Sequence, residues 1–191
     1  MNTKEHKQQL LDQLYEPYKK CLECPLGFLG RKTVVFGEGN PDARLMIIGE
    51  GPGREEDEHG RPFIGRSGKF LTKVLHELGV DRKDIFITNI VKCRPPNNRN
   101  PLPLEMKTCK DLLLVNQIKI IQPHVICTLG SSALEGLLDK KITMNTTRGT
   151  VFYCDEIPII PTYHPAFIMR FAKNTTFFIQ DIEKALNFSK R

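Results

Sequence analysis

A chain of 191 residues suits one domain and is long enough to bury a hydrophobic core. Its 40% hydrophobic and 26% charged content is that of an ordinary globular protein, and no apolar run approaches the ~20 residues needed to cross a bilayer. The net charge of +6 permits a polyanionic partner without requiring one.

The first twenty residues, MNTKEHKQQLLDQLYEPYKK, lack the apolar core of a signal peptide, so the expectation is a protein that is not exported. Leu10, Leu11, Leu14, Tyr15 and Tyr18 fall at helical spacing within residues 5–20, a pattern that stops near Pro17. Cys21-Leu22-Glu23-Cys24-Pro25 follows, then a short β-like run, Thr33–Phe36, between turn residues. Leu45–Ile48 reads as the first strand and feeds the stretch that organises the chain, GEGPGREEDEHGRPFIGRSGKFL over Gly49–Leu71. It predicts an acidic loop punctuated by Gly and Pro, a basic segment, and a helix beginning near Ser67. Gly49, Gly51, Pro52 and Gly53 hold the backbone in a tight path whose N–H groups can meet a flat or anionic ligand. The helix presents Phe70, Leu71, Val74, Leu75 and Leu78 on one face and ends at Gly79.

Ile85–Val91 reads as a second buried strand with a long, polar, Pro-rich exit loop, KCRPPNNRNPLP. A helix follows from about Pro103 to Lys119 and includes Cys109. Val125–Leu129 is a third strand, broken by Gly130, with Ser131 as N-cap of a short helix to Leu138. Val151–Cys154 and Ile157–Ile160 flank Asp155-Glu156 as a hairpin. The second of these leads into PTYHPA at 161–166, and a helix from about Thr176 to Phe188 closes the chain. Apolar strands alternating with helices predict a parallel-sheet α/β layer fold. Glu50, Asn89 and His164 stand just past three of the strands. Open α/β sheets bind ligands at the carboxyl ends of their strands. The three residues therefore either converge on one crevice or each merely caps a turn.

Six cysteines without an export signal favour metal ligation over a disulfide framework. Cys21 and Cys24 are spaced so that both sulfurs can reach one centre. Cys93 and Cys109 complete the set if the fold brings them alongside. Four thiolates suit zinc or an iron–sulfur cluster; the alternative is four unrelated buried thiols. Cys127, inside an apolar strand, and Cys154, in the hairpin, are expected to be structural.

Taken in order and with the cysteines interleaved, GEGPGREEDEHGRPFIGRSGKFL, TNIVKCRPPNNRNP and YHPAFIMR resemble the motifs of the family 4 iron–sulfur uracil-DNA glycosylases. The resemblance runs from Cys21 to the helix after His164. It implies an α/β/α sandwich around a four-stranded parallel sheet, in a single domain over residues 1–191. It implies an enzyme that hydrolyses the N-glycosidic bond of deoxyuridine in DNA, releasing uracil and leaving an abasic site. A 4Fe–4S cluster on Cys21, Cys24, Cys93 and Cys109 follows from it, with uracil-containing DNA as partner. So do a monomeric state, no membrane association, and a place in the prokaryotic cytoplasm with the nucleoid.

A glycosylase extrudes its base from the stack into a pocket. By resemblance Phe63 stacks on the uracil ring; the plain alternative is that Phe63 and Ile64 anchor the loop to the core. Asn89 would read the uracil edge, its carbonyl accepting from the ring N–H and its amide donating to the neighbouring oxygen. Cytosine presents the opposite pattern. His164 would donate to uracil O2, where negative charge develops. Glu50 is expected beside the reacting sugar, positioning water or stabilising a cation. The related family 1 motif, GQDPYH, has a water-activating Asp where this chain has Gly51, which leaves Glu50 or backbone carbonyls as candidates. Gly51 and Glu56 join the substrate set, Glu56 against thymine's methyl group, while Asp57 and Glu58 are expected to be solvated loop charges.

For DNA, Arg66 and Ser67 open a helix whose N-terminal amides can receive a phosphate. Lys92, Arg94, Arg99, Arg170 and Lys173 are further phosphate candidates, and Ile168, Met169 and Arg170 are candidates to wedge into the gap left by a flipped nucleotide. Besides an electron carrier, which the wide dispersal of the ligands disfavours, two rival readings remain. One is a non-catalytic nucleic-acid-binding module with a structural metal site. The other is a relative that traps uracil-site DNA covalently through a basic, His-containing loop; RPPNNRNPLP after Cys93 has no His, which favours turnover.

Overall fold

The computed structural model describes residues 3–190, so the two ends of the expected domain, Met1 and Asn2 and then Arg191, lie outside the described residues. The chain runs through α1 (Lys4–Tyr15), β1 (Glu38–Gly39), β2 (Leu45–Gly49), α2 (Arg54–His59), α3 (Arg66–Glu77) and β3 (Phe86–Asn89). It continues through α4 (Pro103–Cys109), a π turn (Lys110–Leu114), α5 (Val115–Ile121), β4 (Val125–Leu129) and α6 (Ser131–Leu138). The last elements are α7 (Met144–Thr147), β5 (Phe152–Cys154), β6 (Ile157–Thr162), α8 (Pro165–Arg170) and α9 (Thr175–Ser189).

The strands form one sheet in the order β1-β3-β2-β4-β6-β5. β3, β2, β4 and β6 run parallel to one another, giving the expected four-stranded parallel centre. β1 and β5 are short antiparallel edges. Every residue of β2, β3 and β4 is buried, because helices cover both faces and leave no side for water. Met46, Ile48 and Ile126 point to one face, where Leu11 of α1, Ile118 of α5 and Leu134 of α6 pack. Leu45, Ile47 and Cys127 point to the other, against Leu71 and Leu75 of α3, Ile168 of α8 and Phe178 of α9. The result is a three-layer α/β/α sandwich. No helix among the described residues is long and apolar enough to cross a membrane.

Several local expectations change. The run Thr33–Phe36 is not a strand; the sheet edge lies just beyond it at Glu38–Gly39. The acidic stretch after β2 is helical, closed by Gly60 at φ 71°. Asp57 within it is only 2% exposed. Its carboxylate accepts from the Lys32 N–H at 2.9 and 3.1 Å and from the Thr33 N–H at 3.1 Å, which ties the incoming extended segment to α2. Two backbone donors in a buried place need an acceptor, so Asp57 is structural, while Glu58 is exposed as expected. The helix expected to have Ser131 as its N-cap is capped instead by Gly130, at φ 89°.

Asp57→Ala strands those two N–H groups and is expected to lower stability by about 1–3 kcal/mol. Glu58→Ala should change it by about 0.5 kcal/mol or less. Urea unfolding of the two variants checks the difference; equal effects would contradict it.

Candidate active site

The carboxyl ends of β2, β3 and β6 open on one cleft of about 610 Å³. Glu50 follows β2, Asn89 ends β3, and His164 comes two residues after β6; all three line the cleft. Gly51, Glu56, Phe63, Arg66, Ser67 and Arg170 line it too. Residues that the sequence assigns to catalysis, base recognition and DNA contact thus meet in one place.

Gly49 sets the spacing at its floor. A Cβ there would lie 2.4 Å from Phe63 Cζ and 2.5 Å from Asn89 Oδ1, so only glycine lets the ring and the carboxamide close around the end of β2. Phe63 has φ 51°, a conformation that a bulky residue adopts only when its surroundings over-determine it. Gly68 is equally constrained, since a Cβ there would sit 1.8 Å from the Phe63 carbonyl oxygen. Glu56 Oε1 accepts from the Ile64 N–H at 2.9 Å and the Gly65 N–H at 2.8 Å, so this carboxylate fixes the loop that carries Phe63.

Asn89 is 1% exposed, and its Oδ1 is buried without a hydrogen-bond partner. Leaving a buried acceptor unpaired costs about 1–3 kcal/mol. Such a group on a cleft wall is an open invitation to an N–H donor. The rings of Phe63 and His164 stand 6.0 Å apart at 35°. His164 Nδ1 accepts from the Ala166 N–H at 3.2 Å, which places the ring proton on Nε2. Burial pushes the His164 pKa down to about 4 against the opposing pull of the Glu56 carboxylate. The imidazole is therefore a neutral Nε2–H donor at pH 7. Burial also raises the Glu50 carboxyl above its ordinary range, opposed by a hydrogen bond with Ser132.

Cationic groups along the cleft are Arg54, Arg66, Arg99 and Arg170. Arg99 is also paired through both nitrogens with buried Glu105, at 2.7 and 2.9 Å, and Arg94 Nε donates to Asn98 Oδ1 at 2.8 Å. Lys173 is exposed but outside the cleft lining. Two expectations fail. Lys92 is wholly buried and cannot reach a phosphate. Its Nζ donates to Thr88 Oγ1 at 2.5 Å, Gln117 Oε1 at 2.6 Å and the Asn89 carbonyl at 2.8 Å, and burial lowers its pKa to about 7. The signal was present in its flanks, Ile90-Val91 before it and Cys93 after it. Ile168 is 1% exposed and packs against the core, so of the proposed wedge only Met169 and Arg170 reach solvent.

On the opposite face of the sheet, Cys21, Cys24, Cys93 and Cys109 line one apolar pocket with Leu26, Val34 and Val91. The Lys92 N–H donates to Cys109 Sγ at 3.2 Å. Burial pushes the Cys93 thiol up to about 12 and the Cys109 thiol to about 11, with Cys21 and Cys24 adding to both. Among the described residues no three His, Cys, Asp or Glu side chains are arranged around a single ion. The donor set itself is soft and purely sulfur, suited to zinc or iron–sulfur chemistry. Cys127 is buried in β4 and Cys154 lies in β5, both apart from this pocket.

The family described as the Uracil DNA glycosylase superfamily matches residues 36–186. The chain belongs to the uracil DNA glycosylase superfamily. It is 46% identical over 189 residues to a Type-4 uracil-DNA glycosylase of Thermotoga maritima, covering 97% of each chain. A Type-4 uracil-DNA glycosylase of Saccharolobus solfataricus is 45% identical over 166 residues, 82% of this chain and 76% of that one. One from Archaeoglobus fulgidus is 39% identical over 167 residues, 83% of each. In this superfamily member the matched region contains the whole cleft, from Glu50 to Arg170.

The depressed His164 pKa has a stability consequence. The unfolded chain takes up a proton near pH 6.5 and the folded one only near pH 4, so folding stability falls as pH drops through that window. From pH 7 to about 4.5, wild type should lose more stability than His164→Asn, measured by denaturant midpoints. Equal losses would mean that the imidazole is not buried in its neutral form.

Proposed function

We propose that this protein is a DNA-repair glycosylase that hydrolyses the N-glycosidic bond of deoxyuridine in DNA, releasing uracil and leaving an abasic site, in a single domain spanning the chain. One observation carries the reading: the unpaired Oδ1 of Asn89, on the cleft wall beside the Phe63 ring and the neutral His164. Its Type-4 relatives support the same assignment.

Uracil offers an N–H at position 3 flanked by two carbonyls. The N–H satisfies Asn89 Oδ1, and the Asn89 amide donates to O4. Cytosine has an acceptor at N3 and an amine at C4, so it leaves both partners unpaired. As the bond from C1′ to N1 breaks, uracil departs with the electron pair, and its charge spreads to O2. His164 Nε2–H donates there, and being neutral it stabilises that charge without first surrendering a proton. Water adds its oxygen to C1′, and the proton it loses passes, through solvent, to the departed uracil anion, giving neutral uracil and the abasic sugar. Glu50, half-buried at the cleft, is the side chain assigned to orient that water or to balance the cationic sugar. Gly51 leaves its own position without a side-chain base. Arg66, Ser67 and Arg170 are assigned to the DNA backbone. Glu56 supports Phe63 through the two amides it accepts from, so the base-recognition role assigned to it is indirect.

A 4Fe–4S cluster would be held by Cys21, Cys24, Cys93 and Cys109. Its four ligands lie on the segment after α1, the exit of β3 and the end of α4, so it would supply a cross-link between them. The four thiols around one apolar pocket are what supports it. Anaerobically purified protein is expected to be brown and to contain iron and acid-labile sulfide; a colourless zinc protein would favour the binding-module reading.

The direct test is incubation with a uracil-containing oligonucleotide followed by alkali. Strand breaks at the uracil position are expected, with no break at cytosine. A protein–DNA adduct surviving denaturation would instead indicate covalent trapping. Asn89→Asp should lower single-turnover uracil excision about 10- to 100-fold and narrow discrimination against cytosine. His164→Ala should cost about 2.7–4 kcal/mol in the chemical step. A loss confined to DNA binding would remove His164 from that step.

A further inference from the structure

The loop that carries Phe63 is gripped from outside the cleft. The Phe63 carbonyl accepts from Arg82 Nη1 at 2.6 Å, and the Pro62 carbonyl accepts from Arg82 Nη2 at 2.8 Å. The same guanidinium donates to Thr72 Oγ1 of α3 at 3.0 Å. It is itself held by Glu38 Oε1 of β1 at 2.7 Å, and Glu38's other oxygen is 2.7 Å from Arg61 Nε. Arg82 is mostly enclosed, its side chain 18% exposed, at the turn that leads into β3. Arg82, Glu38 and Thr72 are all absent from the cleft lining.

Four acceptors occupy all four N–H groups on the two terminal nitrogens of the guanidinium, an arrangement that a lysine ammonium, with three donors on a flexible stem, cannot reproduce. Two of the four are the carbonyls on either side of the Phe63 Cα, the residue that sits at φ 51°. Beyond it, Glu56 holds the amides of Ile64 and Gly65. Phe63 is thus fixed from its carbonyl side by Arg82 and from the following amides by Glu56. An unfavourable backbone conformation persists only where such constraints surround it. The edge strand β1 also gains a purpose here, since it delivers Glu38 to Arg82.

We infer that Arg82, braced by Glu38, is a positioning residue for base recognition: it holds the Phe63 ring in its stacking place and so sets the cleft's affinity for a flat pyrimidine. This rests on the uracil reading of the cleft. Arg82 touches no substrate and acts only through Phe63.

The test measures inhibition of excision by free uracil, together with single-turnover rate and melting temperature, in wild type, Arg82→Gln, Arg82→Lys and Lys7→Met. Lys7 is a control for lost buried pairing, because its Nζ bonds Asp42 and the Ile121 carbonyl on α1's side of the fold, outside the cleft. Arg82→Gln is expected to weaken uracil inhibition and to slow the chemical step by about tenfold or more. Arg82→Lys should fall between it and wild type, and affinity for uracil-free DNA should stay unchanged. Lys7→Met should lower the melting temperature with uracil inhibition intact. Wild-type uracil inhibition in Arg82→Gln, with only a lower melting temperature, overturns the inference. Where Arg82→Gln fails to fold, Arg82→Lys decides in the same way, weaker inhibition supporting the role and unchanged inhibition overturning it. A wild-type protein that neither excises nor binds uracil overturns the reading of the cleft itself, which separates the two failures.

Discussion

One missing methyl group governs the cleft. Because Gly49 has no Cβ, the Phe63 ring and the Asn89 carboxamide approach the end of β2 more closely than any side chain there would permit. The ring, carried by the loop between α2 and α3, and the amide, at the end of β3, are thereby brought together over the end of β2. Strand pairing enforces the alignment, since Gly49 stands opposite Asn89 in the β2–β3 register. The base recognition proposed for the cleft rests on that adjacency, which the rest of the fold keeps in place. Glu56 and the glycine at position 68 hold the loop, and Lys92 holds the Asn89 carbonyl from beneath.

Burial tunes the chemistry of the same cleft in one direction. His164 is driven towards neutrality from the cationic side, and the Glu50 carboxyl is driven towards neutrality from the anionic side. Both shifts come first from desolvation, which penalises whichever form is charged. For His164 this leaves, at neutral pH, a ring with a fixed tautomer through the Ala166 N–H and one free donor, which is what the proposed role requires. Arg54, Arg66, Arg99 and Arg170 stand around the cleft, whose lining also includes Asn89, His164 and the carboxyl groups of Glu50 and Glu56.

Much of this was legible in the sequence because the strands are buried on both faces. Leu45–Ile48, Ile85–Val91 and Val125–Leu129 stand out as mostly apolar runs, and the polar residues at the ends of such runs gather at one end of a parallel sheet. Glu50, Asn89 and His164 were therefore readable as candidates for one crevice, with turn-capping as the alternative, and the structure brings all three into one cleft. Elements without an apolar period were not. β1 has two residues, and α2 is REEDEH, whose charges resemble a solvated loop although one of them, Asp57, is buried as a backbone acceptor. Lys92 and Ile168 misled for opposite reasons, a charge sealed inside and an apolar residue that belongs to the core rather than to a wedge. Arg82 was invisible because the two groups it holds on the Phe63 loop are main-chain carbonyls about twenty residues away, which no side-chain pattern records.

The central claim concerns a single acceptor, Asn89 Oδ1, and a crystal of the protein soaked with free uracil tests it most directly. The expected density places uracil against the Phe63 ring, with its N3–H on Asn89 Oδ1 and its O2 facing His164 Nε2. Uracil bound elsewhere, or an Asn89 Oδ1 that remains unpaired beside a bound base, would contradict it.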